Sequence, residues 1–132
     1  MAECFGIRMR VFVEEQGVPL DEELDEDDIH ALHYLVRDGE IPAAAARLVP
    51  KSDGVAKVGR VAVLPSYRRQ GVGTKLMTYI LDGDARSYEE VILDSQLTAV
   101  GFYERLGFVA EGDEFLDAGI PHIRMRFTVG AQ

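Results

Sequence analysis

A short segment near the middle of the chain constrains the fold more than any other part of the sequence. Residues 61–64 are all apolar, which is typical of a strand buried on both faces of a sheet. Arg68 and Arg69 follow, and Gly71 and Gly73 then open a segment with the apolar spacing of a helix. The segment is therefore predicted to run from a central strand through a basic turn into a helix.

The predicted start of this helix has the properties of a phosphate or pyrophosphate site. Glycine lets a ligand approach the backbone closely, and the first amides of a helix are unpaired donors at the positive end of its dipole. Arg68 and Arg69 would add positive charge to those amides. A turn whose glycines serve only packing is an equally open interpretation.

Two common nucleotide sites do not fit this segment. In a Walker loop the second glycine precedes Lys and then Ser or Thr, whereas Gly73 is followed by Thr74 and Lys75 in the reverse order. A dinucleotide fingerprint needs a third glycine where this chain has Leu76.

The spacing of apolar residues predicts a mixed α/β domain over residues 1–132, without internal repeats or a linker. Predicted helices cover residues 7–16, 71–82 and 98–106. Predicted strands cover residues 31–37, 41–50, 58–64, 91–93 and 123–128, and one more begins at residue 108.

Composition and charge narrow the class of protein. The 132 residues are 47% hydrophobic, enough for one globular core, and the lone Cys4 fits a reducing, cytoplasmic compartment. We find neither an apolar run of about 20 residues nor a signal peptide, so no membrane partner is expected. The net charge is −9, and no basic face large enough for nucleic acid is visible.

An acidic run between residues 11 and 36 begins in the last turn of the first predicted helix and continues beyond it. It carries Glu14, Glu15 and Glu22 among nine acidic residues and has no Lys or Arg. It is either a solvated loop or an acidic rim that attracts a cationic substrate such as an amine.

Two motifs in the expected order resemble the GNAT N-acetyltransferase superfamily. Residues 68–73 match its Gln/Arg-x-x-Gly-x-Gly/Ala loop, and residues 101–108, Gly-Phe-Tyr-Glu-Arg-Leu-Gly-Phe, match its second signature about 30 residues downstream. Residues 10–16 and 115–122 are similar to the ElaA-like bacterial subgroup. The resemblance thus covers nearly the whole chain.

This resemblance implies a mostly antiparallel mixed sheet flanked by helices, with the family's first edge strand missing or shortened. It implies transfer of acetyl from acetyl-coenzyme A to a small primary amine by direct attack in a ternary complex. A catalytically degenerate sensor that binds acyl-coenzyme A is the alternative, and family analogy alone suggests a homodimer. The residues expected at the coenzyme are Val61, Ala62, Val63, Arg68, Arg69, Gln70, Gly71, Val72, Gly73, Thr74, Gln96 and Phe102.

The resemblance also implies catalytic roles. Tyr103 falls on the tyrosine that protonates the leaving thiolate, and a backbone N–H at a bulge within residues 61–63 would polarise the thioester carbonyl. His122 follows Gly119-Ile120-Pro121, a predicted rigid turn, and is a candidate general base. An aromatic packing role for Tyr103 and a satisfied histidine at position 122 remain open.

Two other reactive groups are assigned no chemistry. No metal is expected, because His30 and His33 lack a third ligand and a strand would separate them. Cys4 has no positioned base, which favours direct attack over an acyl-cysteine intermediate. Glu14, Glu15 and Glu22 remain candidates for holding the amine.

Overall fold

The computed structural model describes residues 2–17 and 27–130, whose strands form one six-stranded sheet in the order β1-β2-β3-β4-β6-β5. Only β3 and β4 pair in parallel. The strands are β1 (Leu32–Asp38), β2 (Ile41–Ser52), β3 (Val55–Val63), β4 (Glu90–Gln96), β5 (Val109–Asp117) and β6 (Ile120–Thr128). The helices are α1 (Ala2–Arg8), α2 (Asp27–His30), α3 (Val72–Asp82) and α4 (Val100–Arg105), with a π-helix (Met9–Glu15) directly after α1. The predicted mixed, mostly antiparallel fold is confirmed.

Two apolar cores cover opposite faces of the sheet. Successive strand residues point to opposite faces, and Ala44 packs in the larger core whereas Ala45 packs in the smaller one. The larger core takes Met77 and Ile80 from α3, which are fully buried. The smaller core takes Ile7 from α1. We call these the α3 face and the α1 face of the sheet.

A bulge interrupts β3 just before its end. Arg47 pairs with Gly59 and Ala45 pairs with Ala62, so β3 holds one more residue than β2 between the two pairs. Val58 precedes the bulge, and it packs in the α3-face core. Beyond the bulge it is Ala62 that packs on the α1 face, so the alternation has shifted by one residue.

Strands β3 and β4 separate toward their carboxyl ends. Their parallel pairing ends where Lys57 meets Ile92. Beyond that point β3 stays with β2, while β4 stays with β6 as far as Gln96, which pairs with His122. The separation leaves a gap in the middle of the sheet, and this gap positions the site described below.

A buried charge cluster ties α2 to α1 and to β2. Both terminal nitrogens of Arg8 bind the Asp28 carboxylate, at 2.7 and 3.2 Å. Nη1 of Arg47 donates to the same carboxylate at 3.0 Å. Arg8, Arg47 and Asp28 are 1%, 6% and 7% exposed. Removing Asp28 would take this shared carboxylate away from two buried guanidinium groups. Such a change typically lowers the free energy of unfolding by about 3–5 kcal/mol.

The observed elements differ from the predicted ones mainly at their ends. The first helix begins at Ala2, and its second half is a π-helix rather than an α-helix. This helix comes before any strand in the described residues. Strand β1 therefore forms the edge of the sheet at which the first strand of the family is predicted to be missing or shortened. Pro121 lies within β6, so the predicted turn at residues 119–121 is wrong; the turn is Ala118-Gly119, where both residues have positive φ. No helix in the described ranges is long and apolar enough to cross a membrane.

Candidate active site

A cavity of about 620 Å³ occupies the gap between β3 and β4. Its walls include the end of β3, the start of α3, the end of β4, Tyr103 of α4 and the β5–β6 turn. Gln16, directly after the π-helix, closes one side. The volume is typical of sites that hold a small molecule or cofactor.

The cavity is basic although the chain is acidic. Among the described residues, five basic and two acidic side chains line it: Lys57, Arg60, Arg68, Arg69 and Arg105, with Asp94 and Asp117. The net charge of the chain is −9, so the charge of this lining is opposite in sign to that of the whole chain. Such a site favours an anionic ligand.

The start of α3 forms an exposed cradle of backbone. Gly71 is the residue before the helix, and its φ of 78° is a conformation that glycine adopts without strain. Gly73 lies against the cavity wall, where an added Cβ would lie 3.3 Å from Cζ of Phe102 and 3.8 Å from Cγ2 of Val63. The missing side chain keeps the first turn of α3 accessible, as an anion-binding helix start requires.

The Arg68 side chain is bound by other residues of the chain. Its Nε donates to the Val63 carbonyl at 2.9 Å, and its two terminal nitrogens bind the Glu15 carboxylate at 2.7 Å each. The hydrogen bond from Arg68 lowers the pKa of Glu15 below its ordinary value. Arg68 and Glu15 therefore neutralise each other beside the cradle.

Strained backbone is concentrated around the cavity. Among the described residues, three that are not glycine have positive φ: Arg60 at 52°, Arg69 at 64° and Ala118 at 52°. All three line the cavity. Such conformations cost free energy and are typical of functional sites. Arg60 belongs to the β3 bulge, Arg69 precedes the cradle and Ala118 belongs to the β5–β6 turn.

Tyr103 reaches the cavity from the α3 face. The residue is 8% exposed, packs edge-on against Phe102 and Phe108, and belongs to the α3-face core. Burial raises the pKa of its hydroxyl to about 12. No described residue accepts a hydrogen bond from this hydroxyl. The hydroxyl therefore stays protonated at neutral pH and is available to a ligand.

His122 reaches the same cavity from the other face of the sheet. Residues 125 and 127 of β6 pack in the α3-face core. His122 and Arg124 alternate with them along the strand, so His122 points to the α1 face. Its Nδ1 lies 2.6 Å from the Ile120 carbonyl, and its ring stacks on Phe115. A carbonyl can only accept, so Nδ1 carries the proton and Nε2 of the neutral ring keeps its lone pair.

Asp94 is held by two cations at the cavity wall. Nζ of Lys57 lies 2.8 Å from Oδ2 of Asp94, and Nε of Arg124 donates to Oδ1 at 2.5 Å. Burial alone would raise the pKa of Asp94, but the hydrogen bonds from Arg124 and Lys57 outweigh burial and lower it. Asp94 therefore remains a carboxylate at neutral pH.

Comparison with known proteins shows which family this chain belongs to. The acetyltransferase (GNAT) domain family matches residues 8–129. The chain belongs to the GNAT acetyltransferase family. An uncharacterised N-acetyltransferase, YjcF of Bacillus subtilis, is 43% identical over 130 residues, which are 95% of this chain and 90% of that protein.

Solved structures agree with this placement. Escherichia coli ElaA is 27% identical with a TM-score of 0.86, covering 96% of this chain and 88% of its own. An acyl-CoA N-acyltransferase from Pseudomonas aeruginosa is 30% identical with a TM-score of 0.84 and the same coverage of both chains. The predicted resemblance to GNAT enzymes and to ElaA is confirmed, and the protein is an acyltransferase.

Most residues predicted for the coenzyme line this GNAT cavity. They are Val61, Val63, Arg68, Arg69, Gly71, Val72, Gly73, Thr74, Gln96 and Phe102. The predicted catalytic residues Tyr103 and His122 also line the cavity. Ala62 packs against α1 instead, and Gln70 donates to the Ser66 carbonyl at 2.7 Å. Neither Glu14 nor Glu15 is part of the lining, and Glu22 lies outside the described residues.

Sequence reasoning missed several residues of the lining. The bulge lies between Gly59 and Ala62 rather than within residues 61–63, so it includes Arg60. Gln16 and Asp117 also line the cavity. Asp117 precedes the two-residue β5–β6 turn, which forms part of the cavity wall, and recognising this hairpin turn in the sequence could have placed Asp117 beside the cavity. In residues 2–17 and 27–130 no cluster of three His, Cys, Asp or Glu side chains could hold a metal.

Proposed function

We propose that this GNAT enzyme transfers the acetyl group of acetyl-coenzyme A to a primary amine of a small molecule, by direct attack in a ternary complex. The observation that carries the proposal is the position of two proton-handling groups at one gap in the sheet. Tyr103 reaches the gap from the α3 face and His122 from the α1 face. An amine and a leaving thiolate on opposite sides of one thioester would meet these two groups.

The cradle at the start of α3 fits the pyrophosphate of the coenzyme. Gly71 and Gly73 leave the first turn of the helix accessible, and Arg69 adds positive charge. The gap between β3 and β4 would then hold the pantetheine arm between two strands whose backbone groups are not paired with each other. The bulge at residues 59–62 offers backbone N–H groups to the thioester oxygen as charge develops on it.

The proposed reaction balances its protons through two side chains. Nε2 of His122 accepts a proton from the ammonium form of the acceptor, which leaves the nitrogen lone pair free to attack. The new C–N bond forms as the C–S bond breaks, and the Tyr103 hydroxyl donates its proton to the sulfur. The hydroxyl carries this proton at neutral pH, since burial raises the pKa of Tyr103 to about 12. The new amide nitrogen then loses its second proton, which returns through solvent to the Tyr103 phenolate, and His122 releases its own proton to solvent.

The proposal is tested by mixing the protein with acetyl-coenzyme A and a panel of small primary amines. Release of free thiol and the mass of the acetylated amine are measured together. We expect free thiol and acetylated amine to form only when the amine is present, and to form in equal amounts. Tight binding of acetyl-coenzyme A without thiol release on any amine would instead support the sensor.

A further inference from the structure

Two contacts of the π-helix end span the gap between β3 and β4. Glu15 binds Arg68, and Arg68 is fixed to the end of β3 through the Val63 carbonyl at 2.9 Å. Gln16, the next residue, accepts a hydrogen bond from Nε2 of Gln96 at the end of β4, at 2.9 Å. We call the Glu15–Arg68 and Gln16–Gln96 contacts together the clasp.

The local backbone explains how neighbouring residues reach two different walls. Adjacent residues of a helix point in different directions, so Glu15 and Gln16 do not share a face. The π-helix is an uncommon structure that is frequent at functional sites, and the backbone N–H of Gln16 closes it by donating to the Val11 carbonyl at 3.2 Å. The turn thus directs one side chain to β3 and the next to β4.

The amide pair lies beside the candidate base. Gln96 and His122 are directly opposite each other in β4 and β6, so their side chains lie on the same face within about 5 Å at Cβ. That face is the one from which an amine would approach His122. Gln16, Gln96 and His122 all line the cavity.

The amide pair keeps hydrogen-bonding capacity for a ligand. One bond joins the two carboxamides, which leaves the side-chain oxygen Oε1 of Gln96 and the side-chain nitrogen Nε2 of Gln16 without a partner among the described residues. Both side chains are half-buried. A hydroxyl group on the acceptor could donate to one and accept from the other, whereas a methyl group would leave both without that partner.

We propose that Gln16 determines acceptor specificity, by selecting an amine that carries a neutral hydroxyl group near its nitrogen. Glu15 is the positioning residue that holds Gln16 against Gln96. This inference rests on the proposed function, since it concerns the amine that the enzyme acetylates.

The test compares ethanolamine with propylamine, which differ by a hydroxyl in place of a methyl group. With the wild-type enzyme we expect kcat/KM to favour ethanolamine by about tenfold, the effect of one well-made hydrogen bond. Gln16→Met keeps the length of the side chain and removes its hydrogen bonds. We expect it to abolish the preference by raising the KM of ethanolamine toward that of propylamine.

Glu15→Gln tests the positioning role. We expect a several-fold rise in the KM of ethanolamine without a matching change for propylamine. The matched control is Glu111→Gln, which breaks the bidentate pair between Glu111 and Arg126 at 2.7 and 3.2 Å, a pair of similar exposure outside the cavity. A general loss of stability would affect both variants, whereas loss of positioning affects only Glu15→Gln.

The outcomes separate this inference from the proposed function. Equal kcat/KM for the two amines in the wild-type enzyme, or an unchanged preference in Gln16→Met, overturns the inference and leaves the acetyltransferase intact. A protein that acetylates no amine overturns the proposed function and this inference with it. An effect of Glu15→Gln that Glu111→Gln reproduces removes the positioning role of Glu15.

Discussion

Replacing Tyr103 with phenylalanine removes a single hydroxyl from the cavity and leaves the ring packing in place. The ring keeps its edge contacts with Phe102 and Phe108, at centroid distances of 4.9 and 5.9 Å. No described residue loses a hydrogen bond, so we expect the free energy of unfolding to change by less than about 1 kcal/mol. Turnover should nevertheless fall about a hundredfold or more, because the leaving thiolate loses its proton donor.

The size of the effect distinguishes catalysis from packing. A hundredfold loss corresponds to about 2.7 kcal/mol of transition-state stabilisation, more than the hydroxyl contributes to the fold. Affinity for acetyl-coenzyme A should stay within about twofold, since the hydroxyl acts on the thiolate rather than on the bound thioester.

Tyr34→Phe is the matched control. Its hydroxyl donates to Oδ2 of Asp84 at 2.7 Å, outside the cavity. We expect this variant to lose about 1.5–3 kcal/mol of stability, as for hydrogen bonds to a charged group, and to keep its turnover. Tyr34→Phe should thus lower the melting temperature and leave kcat unchanged, whereas Tyr103→Phe should lower kcat and leave the melting temperature nearly unchanged.

The assay is single-turnover thiol release, with enzyme in excess over acetyl-coenzyme A and with saturating amine, together with calorimetry and thermal unfolding. Single-turnover conditions isolate the chemical step from product release. Tyr103→Phe enzyme with wild-type single-turnover rates would refute the reasoning and return Tyr103 to a packing role.

The remaining predictions concern protonation. His122→Ala should lower kcat about a hundredfold or more, because the amine loses its proton acceptor, and an unchanged kcat would point to another base. Asp94 has a lowered pKa, so it stabilises the fold above its ordinary value of 3.8 and the effect is lost as pH falls through its lowered value. Denaturant titrations should therefore show wild type and Asp94→Asn converging in stability below about pH 4, and a constant difference would contradict this. Tyr103 has a raised pKa, so wild type should lose stability relative to Tyr103→Phe as pH rises from 10 toward 12, and equal losses in alkaline unfolding would contradict this.

Local motifs predicted the parts of the site that lie close together in the chain. The glycines at 71 and 73 and the tyrosine at 103 signal their surroundings through short-range spacing, so the cradle and α4 were predicted near their observed places. The apolar run in β3 likewise predicted a central strand.

Long-range contacts could not be predicted from local spacing. The bulge at residues 59–62 depends on the register between β2 and β3, which residue alternation within β3 does not reveal. Arg68 was predicted at the coenzyme and Glu15 at the substrate, yet they bind each other across 53 residues of sequence. Pro121 was predicted in a turn because proline is common there, but β6 accommodates it opposite Leu116 of the edge strand β5.

Calorimetric titration of acetyl-coenzyme A into wild type and Gly73→Glu tests the central claim most directly. A glutamate at position 73 would crowd Phe102 and Val63 and add a negative charge to the cradle. We predict binding to wild type and at least about tenfold weaker binding to the variant. Gly6→Glu adds the same charge in α1, where an added Cβ meets nothing within 4 Å, and should bind like wild type. Unchanged affinity in a folded Gly73→Glu protein would contradict the placement of the coenzyme at the start of α3.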